Sequence, residues 1–124
     1  MQPKKTVKIT NKTRGTILAQ KAQIADTPLL RLKGLLGRRG LEQGEGLIIE
    51  PCNSIHTCFM RFPIDVLFLD KNYKIVSLTS NLSPWRLFGS LFMGKIVLEL
   101  PAGTLAETRT KNGDLIEIIE RNSP

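Results

Sequence analysis

The stretch Ile64-Asp65-Val66-Leu67-Phe68-Leu69-Asp70 decides the fold. Its β-branched, aromatic and aliphatic residues form the strongest strand in the chain, and Lys71-Asn72 turns it into a partner strand over Tyr73 to Thr79. Alternation places Asp65 on one face with Leu67 and Leu69, and Ile64, Val66 and Phe68 on the other. A carboxylate on an apolar face must find hydrogen-bond donors, because burying it unpaired is costly.

Upstream, the loop Cys52 to Pro63 follows a short buried strand, Leu47-Ile48-Ile49, which Pro51 ends and the Gly40 to Gly46 connection precedes. Nearer the start, Thr6 to Thr10 alternates apolar and polar residues, Asn11 to Gly15 supplies turn chemistry, and Thr16 to Ile24 runs on as a second extended segment. The two make a hairpin with a lysine-rich edge, which discourages edge-to-edge aggregation. Asp26-Thr27-Pro28 then caps a helix over about 28–36, with Leu29, Leu32 and Leu36 at helical spacing and Gly37 at its end.

Downstream, Asn81 to Gly94 reads as a short helix or a lid loop, and Ile96 to Leu100 as a strand ending at Pro101. Thr104 to Thr110 is expected to pair with Leu115 to Glu120 across Lys111-Asn112-Gly113-Asp114, since Asn-Gly favours hairpin turns. These elements predict a mainly β chain: a compact β-sandwich or distorted β-barrel of about seven or eight short strands, with the 28–36 helix packed across it. A single domain over 1–124 is expected, with disordered termini at 1–4 and 121–124.

The run His56-Thr57-Cys58-Phe59-Met60-Arg61-Phe62-Pro63-Ile64-Asp65-Val66-Leu67-Phe68-Leu69-Asp70 is similar to the signature of a prokaryotic family, domain of unknown function 192. Gly34-Leu35-Leu36-Gly37-Arg38, Gly46-Leu47, Val97-Leu98-Glu99-Leu100-Pro101-Ala102-Gly103-Thr104 and Gly113-Asp114 follow the family's order across most of residues 30 to 120. The resemblance implies a compact β-rich domain and supplies no established activity, cofactor or substrate. Cys58 departs from the family pattern, where an aromatic or aliphatic residue is usual.

The formal charge of +7 is unevenly spread. Residues 1–39 carry ten Lys and Arg against the single acid Asp26, whereas the rest of the chain has eight bases and ten acids. Such asymmetry suits nucleic acid or another anionic partner. Lys4, Lys5, Lys8, Lys12, Arg14 and Lys21 are read first as the solvated face of the hairpin, since few aromatics accompany them to stack on bases. No run approaches the roughly 18 apolar residues of a transmembrane helix. Met1 to Gln20 has no continuous apolar region of signal-peptide type, so with Met1 as native start the expected location is cytoplasmic.

Five residues stand out as ligand-binding candidates: His56, Met60, Asp65, Trp85 and Glu99. The leading expectation is a non-catalytic domain that binds a small ligand or a protein segment near His56, Met60, Asp65 and the Trp85 loop. Two readings of Asp65 compete. In one it projects into a pocket with His56 and Met60 to bind a ligand amine or hydroxyl or to act as an acid or base. In the other, which is preferred, it accepts backbone N–H groups from the Cys52 to Pro63 loop and fixes the loop's shape. Glu99 lies on the Val97 face of its strand and makes a second carboxylate. The alternative is therefore a hydrolase using Asp65 and Glu99, as glycoside hydrolysis requires a carboxyl pair, or using the Cys52 thiol.

Cys52-x3-His56-x-Cys58 has metal-ligand residue types, with Asp65 or water as a fourth ligand, but no second Cys or His cluster accompanies it. Buried thiols and a hydrogen-bonded His56 are preferred, and no metal is expected. No glycine-rich phosphate loop, dinucleotide fingerprint or paired Cys-x-x-Cys is present, so no cofactor is expected either. The bulky residues of Trp85 to Met93 supply core, a lid, or an apolar patch for a protein partner.

Overall fold

The computed structural model describes residues 6–25, 40–50, 54–56, 62–83, 87–89 and 96–120, with 54–56 and 87–89 as backbone alone. Its strands are β1 (Thr6–Asn11), β2 (Thr16–Ala25), β3 (Glu45–Ile49), β4 (Ser54–His56), β5 (Ile64–Leu69), β6 (Ile75–Leu82), β7 (Leu87–Gly89), β8 (Ile96–Pro101) and β9 (Ile116–Glu120). One short helix, α1 (Thr104–Glu107), lies among them. The chain is thus mostly β, as expected. The helix expected over 28–36 and the termini 1–4 and 121–124 fall outside the described residues.

Seven strands form one curled sheet in the order β6-β5-β8-β3-β2-β1-β9, a half-barrel. Only β2 and β3 run parallel among its neighbours. Its outermost strands are drawn together at their first residues: Lys74 bridges Leu115, the Ile116 amide donates to Tyr73 O at 2.9 Å, and the Ile75 amide donates to Asp114 O at 3.0 Å. β4 and β7 make a separate two-stranded sheet.

The strand expected from the Ile64 segment is β5, and it pairs with β6 on one side and β8 on the other. Every residue of β5 is buried, as are Ile96 to Leu100 of β8. Both faces of these strands are therefore covered, which explains their near-continuous apolar runs in place of clean alternation. One core contains Ile9, Leu67, Leu69, Leu98, Leu100 and Leu105; the other, on the opposite face, contains Leu47, Ile49, Val66, Phe68 and Val97.

Three expectations are corrected. Thr104 to Thr110 is not a strand: α1 occupies its first half, and β9 pairs with β1 instead. The Asn112-Gly113 turn does form, with Gly113 at φ 90°, but it leads from the helix segment into β9. The β1–β2 hairpin exists but is no edge, because β3 and β9 flank it. Within Asn81 to Gly94, β6 continues to Leu82 and Leu87–Gly89 is a strand.

Candidate functional site

In strands buried on both faces, a polar residue has no solvent side to turn to. Asp65 in β5 and Glu99 in β8 are the two acids placed this way, and their surroundings differ. In the β5–β8 register Asp65 lies opposite Leu100 and Glu99 opposite Val66. Directly paired residues share a face, so Asp65 belongs with Leu67, Leu98 and Leu100, and Glu99 with Val66 and Val97. The two carboxylates stand on opposite sides of the sheet. They share no cleft, and the paired-carboxylate geometry of a glycoside hydrolase is not what these strands provide.

Asp65 is fully buried and fully engaged. Its Oδ2 accepts the amides of Gly103 at 3.1 Å and Leu105 at 2.9 Å, and its Oδ1 accepts the Asn81 amide at 2.8 Å. Gly103 is the N-cap of α1 and has no side chain with which to cap it. Asp65 therefore caps the helix from another strand, satisfying two of the donors that every helix start leaves free. Asp65 is thus an internal anchor whose described donors lie in β6 and at α1; most of the Cys52 to Pro63 loop lies outside the described residues.

Glu99 has the opposite environment. It is 3% exposed, and among the described residues its Oε1 has no hydrogen-bond partner. Leu47 of β3 and Val66 of β5 flank it directly, so a carboxylate takes the place of an aliphatic residue in the second core. Burial pushes its carboxyl up to about 7. Near neutral pH the group is then a mixture of acid and carboxylate, able to give or accept one hydrogen bond.

A third polar group is structural. Asn11 is fully buried, and its Nδ2 donates to Thr110 Oγ1 at 3.1 Å and Asp114 Oδ2 at 2.9 Å. Arg14 Nε and the Lys111 amide also donate to that oxygen, each at 3.0 Å. Burial alone raises the Asp114 carboxyl, but hydrogen bonds from Arg14, Asn11 and Lys111, with the Arg14 charge, outweigh it and hold it at about 2. This network was not singled out from sequence; the signals were Asn11 and Asp114 as turn residues.

Of the remaining candidates, Met60 and Trp85 lie outside the described residues, as do Cys52 and Cys58. His56 ends β4, where its backbone pairs with Leu87 of β7. Of the Trp85 to Met93 patch, only the β7 backbone is described. Among the described residues no group of three or more His, Cys, Asp or Glu is placed to hold a metal ion. Of the basic hairpin, Lys12, Arg14 and Lys21 are exposed, while Lys4 and Lys5 lie outside the described residues. Arg14 is bound to Asp114. Among the described residues no helix is long and apolar enough to cross a membrane.

The profile of the domain of unknown function 192 family, described as an uncharacterized ACR, matches residues 9–118. A UPF0127 protein of Pyrococcus abyssi is 33% identical over 117 residues, covering 90% of this chain and 97% of that one. Another, from Thermococcus sibiricus, is 32% identical over 111 residues, covering 86% and 71%. Among solved structures, a protein of unknown function from Novosphingobium aromaticivorans aligns with a TM-score of 0.77 at 23% identity, over 90% of this chain and 83% of that one. A protein from Sinorhizobium meliloti, named as a candidate transcription regulator, aligns with a TM-score of 0.80 at 24% identity, over 94% of each chain. At these identities the structural matches show the fold alone.

Proposed function

Because the chain belongs to the domain of unknown function 192 family, whose matching relatives carry no activity in their names, we propose its function from the site itself. It is a non-catalytic small-molecule-binding domain in which Glu99 is the polar anchor. The ligand presents a hydroxyl or amine donor to Oε1 and an apolar body to the face of Leu47, Val66 and Val97. His56, Met60 and Trp85 are the sequence-derived candidates for the rest of the wall. Asp65 is not part of it, since its oxygens already serve Asn81, Gly103 and Leu105.

The observation that supports this reading is the buried Glu99 Oε1, which has no hydrogen-bond partner among the described residues. Leaving a buried acceptor unsatisfied costs about 1–3 kcal/mol, and an aliphatic residue at this register position would avoid that cost. A ligand donor offsets it. The test is a screen of small alcohols, polyols and amines by methyl NMR, with Leu47 and Val66 as reporters. A saturable response that Glu99→Leu abolishes, while the variant stays folded, is expected. Hits whose response survives Glu99→Leu unchanged, or a screen with no hits, refute the reading.

A further inference from the structure

We propose that the end of the curled sheet opposite α1 holds a second, independent site for a small alkylammonium ion. The chain directions define this end. β1 begins there, β2, β3 and β9 finish there, and the β5–β6 turn lies beside them, whereas Asp65, Asn11 and Pro101 mark the α1 end. The ends of barrel-like sheets are common ligand sites, because inward side chains stop short of filling the opening.

A cavity of about 260 Å³ lies at this end. Its floor is aliphatic: Val7, Ile24, Ile48 and Ile118 contribute from four different strands. Val7 and Ile48 are buried members of the first core, and Ile24 and Ile118, half-buried, pack against it and present the accessible aliphatic surface. The rim has a different chemistry. It includes Tyr73, a residue 40% exposed, and the exposed acids Glu50 and Glu120. Among the described residues neither carboxylate has an ion-pair partner, and the lining includes no Lys or Arg.

Three features select the occupant. The aliphatic floor favours an alkyl chain, and its volume is close to the lower end of small-ligand pockets, which limits the chain to a few carbons. Two carboxylates with no ion-pair partner among the described residues favour a cation, in a chain whose net charge of +7 makes such a spot unusual. An exposed tyrosine ring at the rim adds a face that attracts ammonium groups. A neutral molecule of the same length gains only the first of these, and an anion is repelled.

The test is methyl NMR titration of the intact chain with n-butylammonium chloride, read at Ile24, Ile48 and Ile118, with 1-butanol as the neutral comparator. Saturable shifts with butylammonium are expected, weakened about tenfold or more in the Glu50→Gln/Glu120→Gln double variant and by added salt. These are surface substitutions, and the folded methyl spectrum verifies the variant. Equal response to 1-butanol, an unaltered response in the double variant, or no saturation overturns the proposal. The Glu99→Leu variant separates the two sites: it leaves the butylammonium response unchanged, and its loss there would assign the effect to the other face.

Discussion

At the scale of single residues, the two buried acids give opposite outcomes. Glu99 is ionised in the unfolded chain above about pH 4.5 yet stays protonated in the folded chain up to about 7. The folded state therefore holds the extra proton in that window, and this group's contribution to stability falls as pH rises from 4.5 to 7, then levels off. The loss amounts to about 3 kcal/mol. Urea denaturation across pH 4 to 8 should reveal it, and Glu99→Gln should flatten this part of the profile and be the more stable protein at pH 8. A profile identical in both proteins would show that Glu99 ionises without penalty. Asp65→Asn acts in the other direction. It swaps an acceptor for an NH2 group among three amide donors, so a loss of about 3 kcal/mol is expected at neutral pH. Unchanged denaturation would mean that the amides of Asn81, Gly103 and Leu105 have other acceptors.

At the scale of elements, legibility followed the range of the interactions. β5, β3 and the β1–β2 hairpin were readable because their alternation, apolar runs and turn residues are local. α1 was not, since a helix of four residues cannot hold itself together. It forms because Leu105 is buried in the first core and because Asp65, 40 residues away, binds its start. Neither cause is visible in Thr104-Leu105-Ala106-Glu107, which the Asn112-Gly113 turn led to be read as one arm of a hairpin. Leu105→Ala should therefore cost about 2–4 kcal/mol, more than helix propensity alone would predict, since alanine is a good helix former. Chemical denaturation checks it, and a neutral effect would mean that α1 is held by its cap alone. The site was half legible for the same reason. Alternation gave the face of each acid within its own strand, but only the Leu67–Leu98 register reveals that those faces are opposite.

At the scale of the whole molecule, the sheet curls because residues about a hundred positions apart in sequence meet at Asp114. Its carboxylate receives Asn11 and Arg14 from the end of the first strand and its turn, while its own carbonyl accepts the Ile75 amide at the seam. One residue thus joins β1 to the point where β6 meets β9. With the folded pKa held at about 2, below the ordinary 3.8, its stabilisation is complete above about pH 4 and is lost as pH falls through 2. This acid limb is separate from the Glu99 window, which lies entirely at higher pH. Asp114→Asn keeps the shape and removes the charge, so it should lower stability at pH 6 and leave a shallower acid limb. Closure gives the more specific readout. The amides of Ile75, Gly113 and Ile116 cross the seam, to Asp114, Ile75 and Tyr73 respectively. In Asp114→Asn their hydrogen exchange should accelerate more than that of Leu67 or Leu98, which lie mid-sheet in β5 and β8. Uniform acceleration would mean that the substitution weakens the whole fold equally, and that the seam is closed by backbone pairing without help from the Asp114 carboxylate.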